Sequence, residues 1–91
     1  MIYSRDALLV RLTNFFKTDL LEPEDAAALT AQTPLYEWGV FNSLSLARLI
    51  GFIREQFGVA IPLQQLTEAN FSTLDKITDL VLSVRQDTPV T

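Results

Sequence analysis

The amino-acid sequence predicts an all-α fold: a small, mostly antiparallel bundle of three main helices and one short helix, with a long loop between the first two. Three observations lead to this prediction. Apolar residues recur at helical spacing in three separate segments. Capping residues and chain-breaking proline or glycine bound those segments. Of the 91 residues, 48% are hydrophobic and none is cysteine, so a helical core has to form without disulfides. This length suits a single domain, which we assign to residues 1–86, with a disordered tail over 87–91.

The first predicted helix covers residues 4–17 and continues towards Leu20. Ser4 is a suitable N-cap and Asp6 lies in the first turn, where a negative charge is favourable. One apolar stripe then follows at helical spacing, and we assign it to the core. Its members are Leu8, Leu9, Leu12, Phe15 and Phe16.

A long connector separates this helix from the next one. Glu22 precedes Pro23 and therefore avoids the helical region, so the first helix ends before it. Residues 23–29 can form a short extra helix with the proline in its first turn. The acidic side chains around it are expected to be solvated rather than to bind a metal. Residues 30–42 are unusually apolar for a loop, so we expect them to pack on the bundle. Their large apolar members are Leu35, Tyr36, Trp38, Val40 and Phe41.

The second main helix is predicted over residues 43–57 and ends at Gly58, a suitable C′ residue. Its core stripe consists of Leu46, Leu49, Ile50, Ile53 and Phe57. Its outward face carries Leu44, Arg48, Gly51 and Glu55, with Phe52 near the edge. Asn42 and Ser43 are both good N-caps. The free N–H groups and the dipole of a helix start also favour a phosphate there. Ser43 is therefore either a cap or an attachment point.

The remaining residues predict a short third helix and a long last one. We expect Ile61 to be buried in an extended link, and the short helix to lie within residues 63–70 with Leu66 inward. Ser72 or Thr73 caps the last helix, and Ser72 with Asp75 resembles a capping box with Asp in place of Glu. Its core face consists of Leu74, Ile77, Leu80, Val81 and Val84.

Composition excludes several functions. The chain has no cysteine and no histidine, which excludes disulfides, Ser-His-Asp triads and histidine metal sites. Its net charge of −4 argues against nucleic acid as a partner. No apolar run approaches the roughly 20 residues that span a bilayer, and no signal peptide is recognisable. We therefore expect a cytoplasmic protein without enzymatic activity, which binds neither nucleic acid nor membrane.

Three ordered segments, residues 33–44, 57–62 and 70–74, resemble the phosphopantetheine-dependent carrier protein family. They contain the runs Gly-Val-Phe-Asn-Ser-Leu, Phe-Gly-Val-Ala-Ile-Pro and Phe-Ser-Thr. The first run is most similar to freestanding aminoacyl or peptidyl carriers and related small acyl carriers. The resemblance implies a carrier-protein bundle in which Ser43 bears 4′-phosphopantetheine. The family usually has Asp before this serine, whereas this chain has Asn42, which keeps the capping ability and loses the charge.

The resemblance also implies partners. A phosphopantetheinyl transferase would move the group from coenzyme A, and an adenylating or acyl-transferring enzyme would load an acyl or aminoacyl thioester. Tailoring or condensing enzymes would then use it, and natural-product biosynthesis is the expected setting. We expect a monomer. The candidate partner contacts are Phe41, Asn42, Leu44, Arg48 and Gly51. Under this interpretation Trp38 either anchors the loop, which we favour, or lines a site for the tethered cargo.

Two points stay open in the sequence. Carriers commonly have acidic residues on the outward face of this helix, whereas here it includes Arg48, with Arg54 on its flank. A basic partner would be repelled, which favours a dedicated partner set, although both arginines can equally be solvated decoration. The competing interpretation of the whole chain is a non-catalytic helical interaction module in which Ser43 is only a helix cap.

Overall fold

The computed structural model describes residues 4–87, which form four α-helices and no β-strand. The helices are α1 (Arg5–Phe15), α2 (Pro23–Ala28), α3 (Ser43–Phe57) and α4 (Leu74–Asp87). The all-α prediction is confirmed. Helix α4 extends to Asp87, one residue into the segment that we assigned to a tail, and residues 88–91 lie outside the described residues. No helix within the described part of the chain is long and apolar enough to cross a bilayer.

Helix α1 begins where the sequence predicted. The hydroxyl of Ser4 accepts a hydrogen bond from the Ala7 N–H at 3.2 Å. Leu8, Leu12 and Phe16 are fully buried, so the predicted stripe faces the core. The helix then widens into a π-helical turn, Phe16–Leu20, which carries the chain to Leu20. Such turns change the direction of backbone groups, and this one directs a carbonyl group towards α3.

The connector packs on the bundle, as predicted. Helix α2 has its proline in the first turn, and the following loop is tied to the start of α4 by two backbone hydrogen bonds. The Leu35 N–H donates to the Ser72 carbonyl at 2.9 Å, and the Asp75 N–H donates to the Ala31 carbonyl at 3.1 Å. Leu35 is fully buried. These contacts make residues 29–42 an ordered support for the start of α3.

Helix α3 has the predicted bounds. Leu49 and Ile53 are fully buried, and Leu46, Ile50 and Phe57 are half-buried. Gly58 ends the helix in the left-handed region with φ of +67°, a conformation that glycine adopts without strain. The Phe52 ring stacks on Phe15 with centroids 4.3 Å apart, so the edge of the outward face is held against α1.

The predicted short third helix does not form as an α-helix. Residues 63–70 contain the 3₁₀ turn Leu63–Gln65 and the start of a second one, Ala69–Phe71. The Asn70 amide donates to the Gln65 carbonyl at 2.9 Å, and the Thr67 hydroxyl accepts the Asn70 N–H at 3.3 Å. Local side chains thus compete with the helical pattern. Leu66 packs partly against the core as expected, but Ile61 is only half-buried.

Helix α4 is capped by Thr73, whose hydroxyl accepts the Lys76 N–H at 3.1 Å. The proposed Ser72/Asp75 capping box is wrong, because the Ser72 hydroxyl donates to the Ala69 carbonyl and Asp75 pairs with Arg5 at 3.1 Å. Exposed ion pairs of this kind add little stability. The predicted core face is confirmed, since every member is buried: Leu74, Ile77, Leu80, Val81 and Val84.

Candidate functional site

The start of α3 is capped by Asn42. Its backbone is extended, and its side-chain oxygen accepts the Ser45 N–H at 2.9 Å. In return the Ser45 hydroxyl accepts the Asn42 N–H at 2.8 Å. This is a reciprocal capping box in which serine takes the place of the usual Glu or Gln. Of the two candidate caps, the structure selects Asn42.

Ser45 is the residue that sequence reasoning missed. It is buried, with 7% of its surface exposed, and its hydroxyl also donates to the Val40 carbonyl at 2.8 Å. It thereby fixes the last residues of the loop as well as the first turn of the helix. The signal was present, since Ser45 follows the cap residue by three positions, which is the spacing of a capping box.

Ser43 is the first residue of α3, and its side chain is exposed. Its hydroxyl has no hydrogen-bond partner among the described side chains and backbone, and Asn42 and Ser45 make the capping bonds instead. The positive end of a 15-residue helix favours a negatively charged group at this position. An exposed hydroxyl without a partner is free to form a phosphodiester, so the residues present fit a phosphate-linked prosthetic group.

The other predicted contact residues fall into two groups. Leu44, with 69% of its surface exposed, Arg48 and half-buried Gly51 lie on the outer side of α3. Phe41 is half-buried and is held by neighbouring rings, so much of it serves to anchor the loop. Its aromatic neighbours are Phe16, Tyr36 and Phe71, with ring centroids 5.2–6.2 Å away.

Arg48 is more than solvated decoration. Its guanidinium donates to the Asp19 carbonyl at 3.3 Å, and Asp19 lies in the π-helical turn after α1. The exposed face of α3 is thus joined to the end of α1. This contact was not predictable from helical periodicity, because it depends on how the π turn aims its carbonyl groups.

A cleft of about 270 Å³ lies between the π turn, α2, the loop and the first turns of α3; we call it the α1–α3 cleft. Its lining residues are Asp19, Leu20, Leu21, Glu22, Asp25, Trp38, Gly39, Val40, Asn42, Leu44, Ser45 and Arg48. Trp38 keeps 37% of its surface exposed. The structure thus places Trp38 in the lining of the cleft with part of its ring in contact with solvent; the choice between loop anchor and cargo-lining residue stays a prediction.

Acid–base chemistry has little support at this site. Tyr36 lies against Phe41 in the supporting loop, and burial, reinforced by the Glu68 carboxylate, raises the pKa of Tyr36 above its ordinary value. Tyr36 therefore stays protonated at neutral pH and is a poor general base. Within the described residues, no group of three or more acidic side chains is arranged to hold a metal ion.

Comparison with known proteins agrees with this geometry. Residues 10–81 match the family model described as "Phosphopantetheine attachment site". The chain is also 34% identical over 71 residues to the "Probable acyl carrier protein PigG" of Serratia sp. (strain ATCC 39006), an alignment that covers 78% of this chain and 80% of that protein. Members of the family are non-catalytic carriers whose domain bears a covalently attached 4′-phosphopantetheine. The chain therefore belongs to the phosphopantetheine-attachment family of carrier proteins.

Proposed function

We propose that Ser43 is the attachment residue, and that the protein tethers an acyl or aminoacyl intermediate as a thioester on the arm and presents it to partner enzymes. The observation that supports this proposal is that different residues cap α3 and present the exposed hydroxyl. Asn42 and Ser45 satisfy the helix end at 2.8–2.9 Å, while the neighbouring Ser43 hydroxyl stays exposed. A serine that only capped the helix would make those bonds itself.

The chain positions the Ser43 hydroxyl and the tethered cargo, and partner enzymes catalyse the reactions. The Ser43 oxygen forms the new phosphodiester, the pyrophosphate bond of coenzyme A breaks, and the nucleotide half of coenzyme A leaves. The base that takes the hydroxyl proton is assigned to a phosphopantetheinyl transferase, since no described side chain hydrogen-bonds the Ser43 hydroxyl. The bound group then supplies a thiol that holds the cargo. Tethering raises the effective concentration of that cargo at successive active sites.

The outer face of α3 is our candidate docking surface for these enzymes. Leu44 is 69% exposed and lies beside Ser43, and Arg48 lies one helical turn further along. An apolar residue flanked by a positive charge suits a partner with an apolar contact and an acidic rim. This supports a dedicated loading enzyme and dedicated tailoring or condensing enzymes, as in natural-product biosynthesis. We further propose that the protein acts as a cytoplasmic monomer.

The test is intact mass after incubation with coenzyme A and a broad-specificity phosphopantetheinyl transferase. Wild type and Ser83→Ala, which removes an exposed serine on α4, should each gain one phosphopantetheinyl group. Ser43→Ala should gain none while remaining folded by circular dichroism. A gain on Ser43→Ala would show that another residue is modified. If wild type gained no mass with several transferases, the result would favour the interpretation of the chain as a helical interaction module.

A further inference from the structure

We propose that the α1–α3 cleft receives the pantetheine part of the prosthetic arm, with Trp38 as its principal apolar contact. This inference rests on Ser43 as the attachment residue. The cleft is lined by Asn42 and Leu44, which are the two chain neighbours of Ser43. An arm that starts at Ser43 therefore starts at the edge of the cleft. Because the arm is tethered, weak contacts are enough to populate the seated state.

The size of the cleft indicates how much of the arm it takes. Pockets that enclose a whole drug-sized ligand measure about 300–1,000 Å³, and this cleft measures about 270 Å³. It therefore suits one segment of the arm and not the arm together with its cargo. The thiol end would stay outside, where partner enzymes reach it.

The chemistry of the walls indicates which segment is seated. Trp38 and Leu44 line the cleft and keep part of their apolar surface exposed, which suits the dimethyl group of pantetheine. Glu22 and Asp25 are among the lining residues, and their carboxylates can accept hydrogen bonds from amide N–H groups. Because the phosphodiester is bonded to Ser43, it stays at the start of α3, and the neutral amide-containing segment enters the cleft.

Arg48 bridges the two walls of the cleft with one hydrogen bond. It belongs to α3, and its guanidinium bonds the Asp19 carbonyl on the opposite wall at 3.3 Å. A second groove, of about 370 Å³, is lined by residues of α1 and the loop that include Val10, Thr13 and Leu29. It shares no lining residue with the α1–α3 cleft and serves as an internal reference.

Trp38 is the only tryptophan in the sequence, so intrinsic fluorescence reports on the cleft directly. The experiment compares unmodified and phosphopantetheinylated protein, each verified by intact mass, by acrylamide quenching. Because Trp38 is 37% exposed and seated ligands lose most of their solvent contact, we expect the quenching constant to fall about twofold on modification. The emission maximum should move to shorter wavelength.

The matched control places the fluorescent tryptophan at a different position. In the double variant Trp38→Phe/Val10→Trp the tryptophan lies in the reference groove, at a position that is 58% exposed in the wild type. Its acrylamide quenching should not change on modification. Ser43→Ala treated with the same reagents should not change either. Unchanged quenching of Trp38 in protein whose mass has increased would overturn the inference while leaving the proposed function intact. Equal changes at both reporters would also overturn it, since they would indicate a global rearrangement. Absence of the mass increase contradicts the proposed function, and the inference with it.

Discussion

Replacing Ser45 by alanine should destabilise the protein, whereas the same replacement at Ser43 should not. The two serines lie two residues apart at the start of one helix, and their environments are opposite. Ser45 is 7% exposed and its hydroxyl bonds both Asn42 and Val40. Ser43 is exposed and makes no capping bond. The pair therefore tests whether the capping function and the attachment function are separate.

The magnitude follows from the groups left without partners. In Ser45→Ala the Val40 carbonyl loses its 2.8 Å hydrogen bond in a buried position, and an unsatisfied buried group costs about 1–3 kcal/mol. The Asn42 N–H is nearer to solvent and can bond water, so its loss adds a smaller amount, within the roughly 0.5–2 kcal/mol of a lost cap. We expect the free energy of unfolding to fall by about 2 kcal/mol, which lowers Tm by roughly 8–16 °C for a domain of this size.

The assay is urea and thermal unfolding followed by far-UV circular dichroism. Ser43→Ala should stay within about 0.5 kcal/mol of wild type, as is usual for surface substitutions, and Ser83→Ala gives the baseline for an exposed helical serine. If Ser43→Ala lost as much stability as Ser45→Ala, Ser43 would be contributing to the cap. The argument that its hydroxyl is free for modification would then be refuted.

Three further predictions concern other positions. Asn42→Asp keeps the cap and adds a negative charge at the positive helix end, so it should stabilise the protein by about 0.3–1 kcal/mol at neutral pH. Because the helix lowers the folded-state pKa of the new carboxylate, this gain should disappear as the pH falls below about 4. Urea unfolding at two pH values measures the difference. Leu49→Ala, at a fully buried position, should cost about 2–5 kcal/mol, whereas Leu63→Ala, at an 81% exposed position, should change stability by less than about 0.5 kcal/mol. Thr73→Ala should cost about 1 kcal/mol through the lost α4 cap, and Ser72→Ala clearly less; equal losses in thermal unfolding would contradict the assignment of the cap.

Local patterns were enough to predict the three long helices. The spacing of Leu49 and Ile53 in α3 requires one buried face, and Gly58 is the residue type that ends a helix in the left-handed region with least strain. The bounds of α3 were predicted correctly because these signals act within a few residues of one another. The same holds for the exposed position of Leu44, since a side chain opposite a buried stripe faces outward.

Prediction was wrong where local hydrogen bonds compete with periodicity. The segment that precedes α4 carries apolar residues at helical spacing, yet Asn70 and Thr67 bond nearby backbone groups and leave only 3₁₀ turns. At the α4 cap, Ser72 and Thr73 were equally suitable by residue type. Thr73 became the cap because two contacts between distant segments hold its neighbours. The Ser72 carbonyl accepts the Leu35 N–H, and the Asp75 side chain pairs with Arg5.

The sequence by itself determined the all-α class, the helix that begins at Ser43 and the resemblance that points to a prosthetic group there, because all three depend on residue type and short spacing. Only the tertiary structure decided that Asn42 and Ser45 cap that helix and leave the Ser43 hydroxyl free. It also brought Trp38 and Arg48 to one cleft beside the serine. The capping bonds join residues only three apart, so residue type left two candidate caps and only the folded backbone selected one. The cleft has a different origin, because packing between segments makes it and it exists only once α1, the loop and α3 have been brought together.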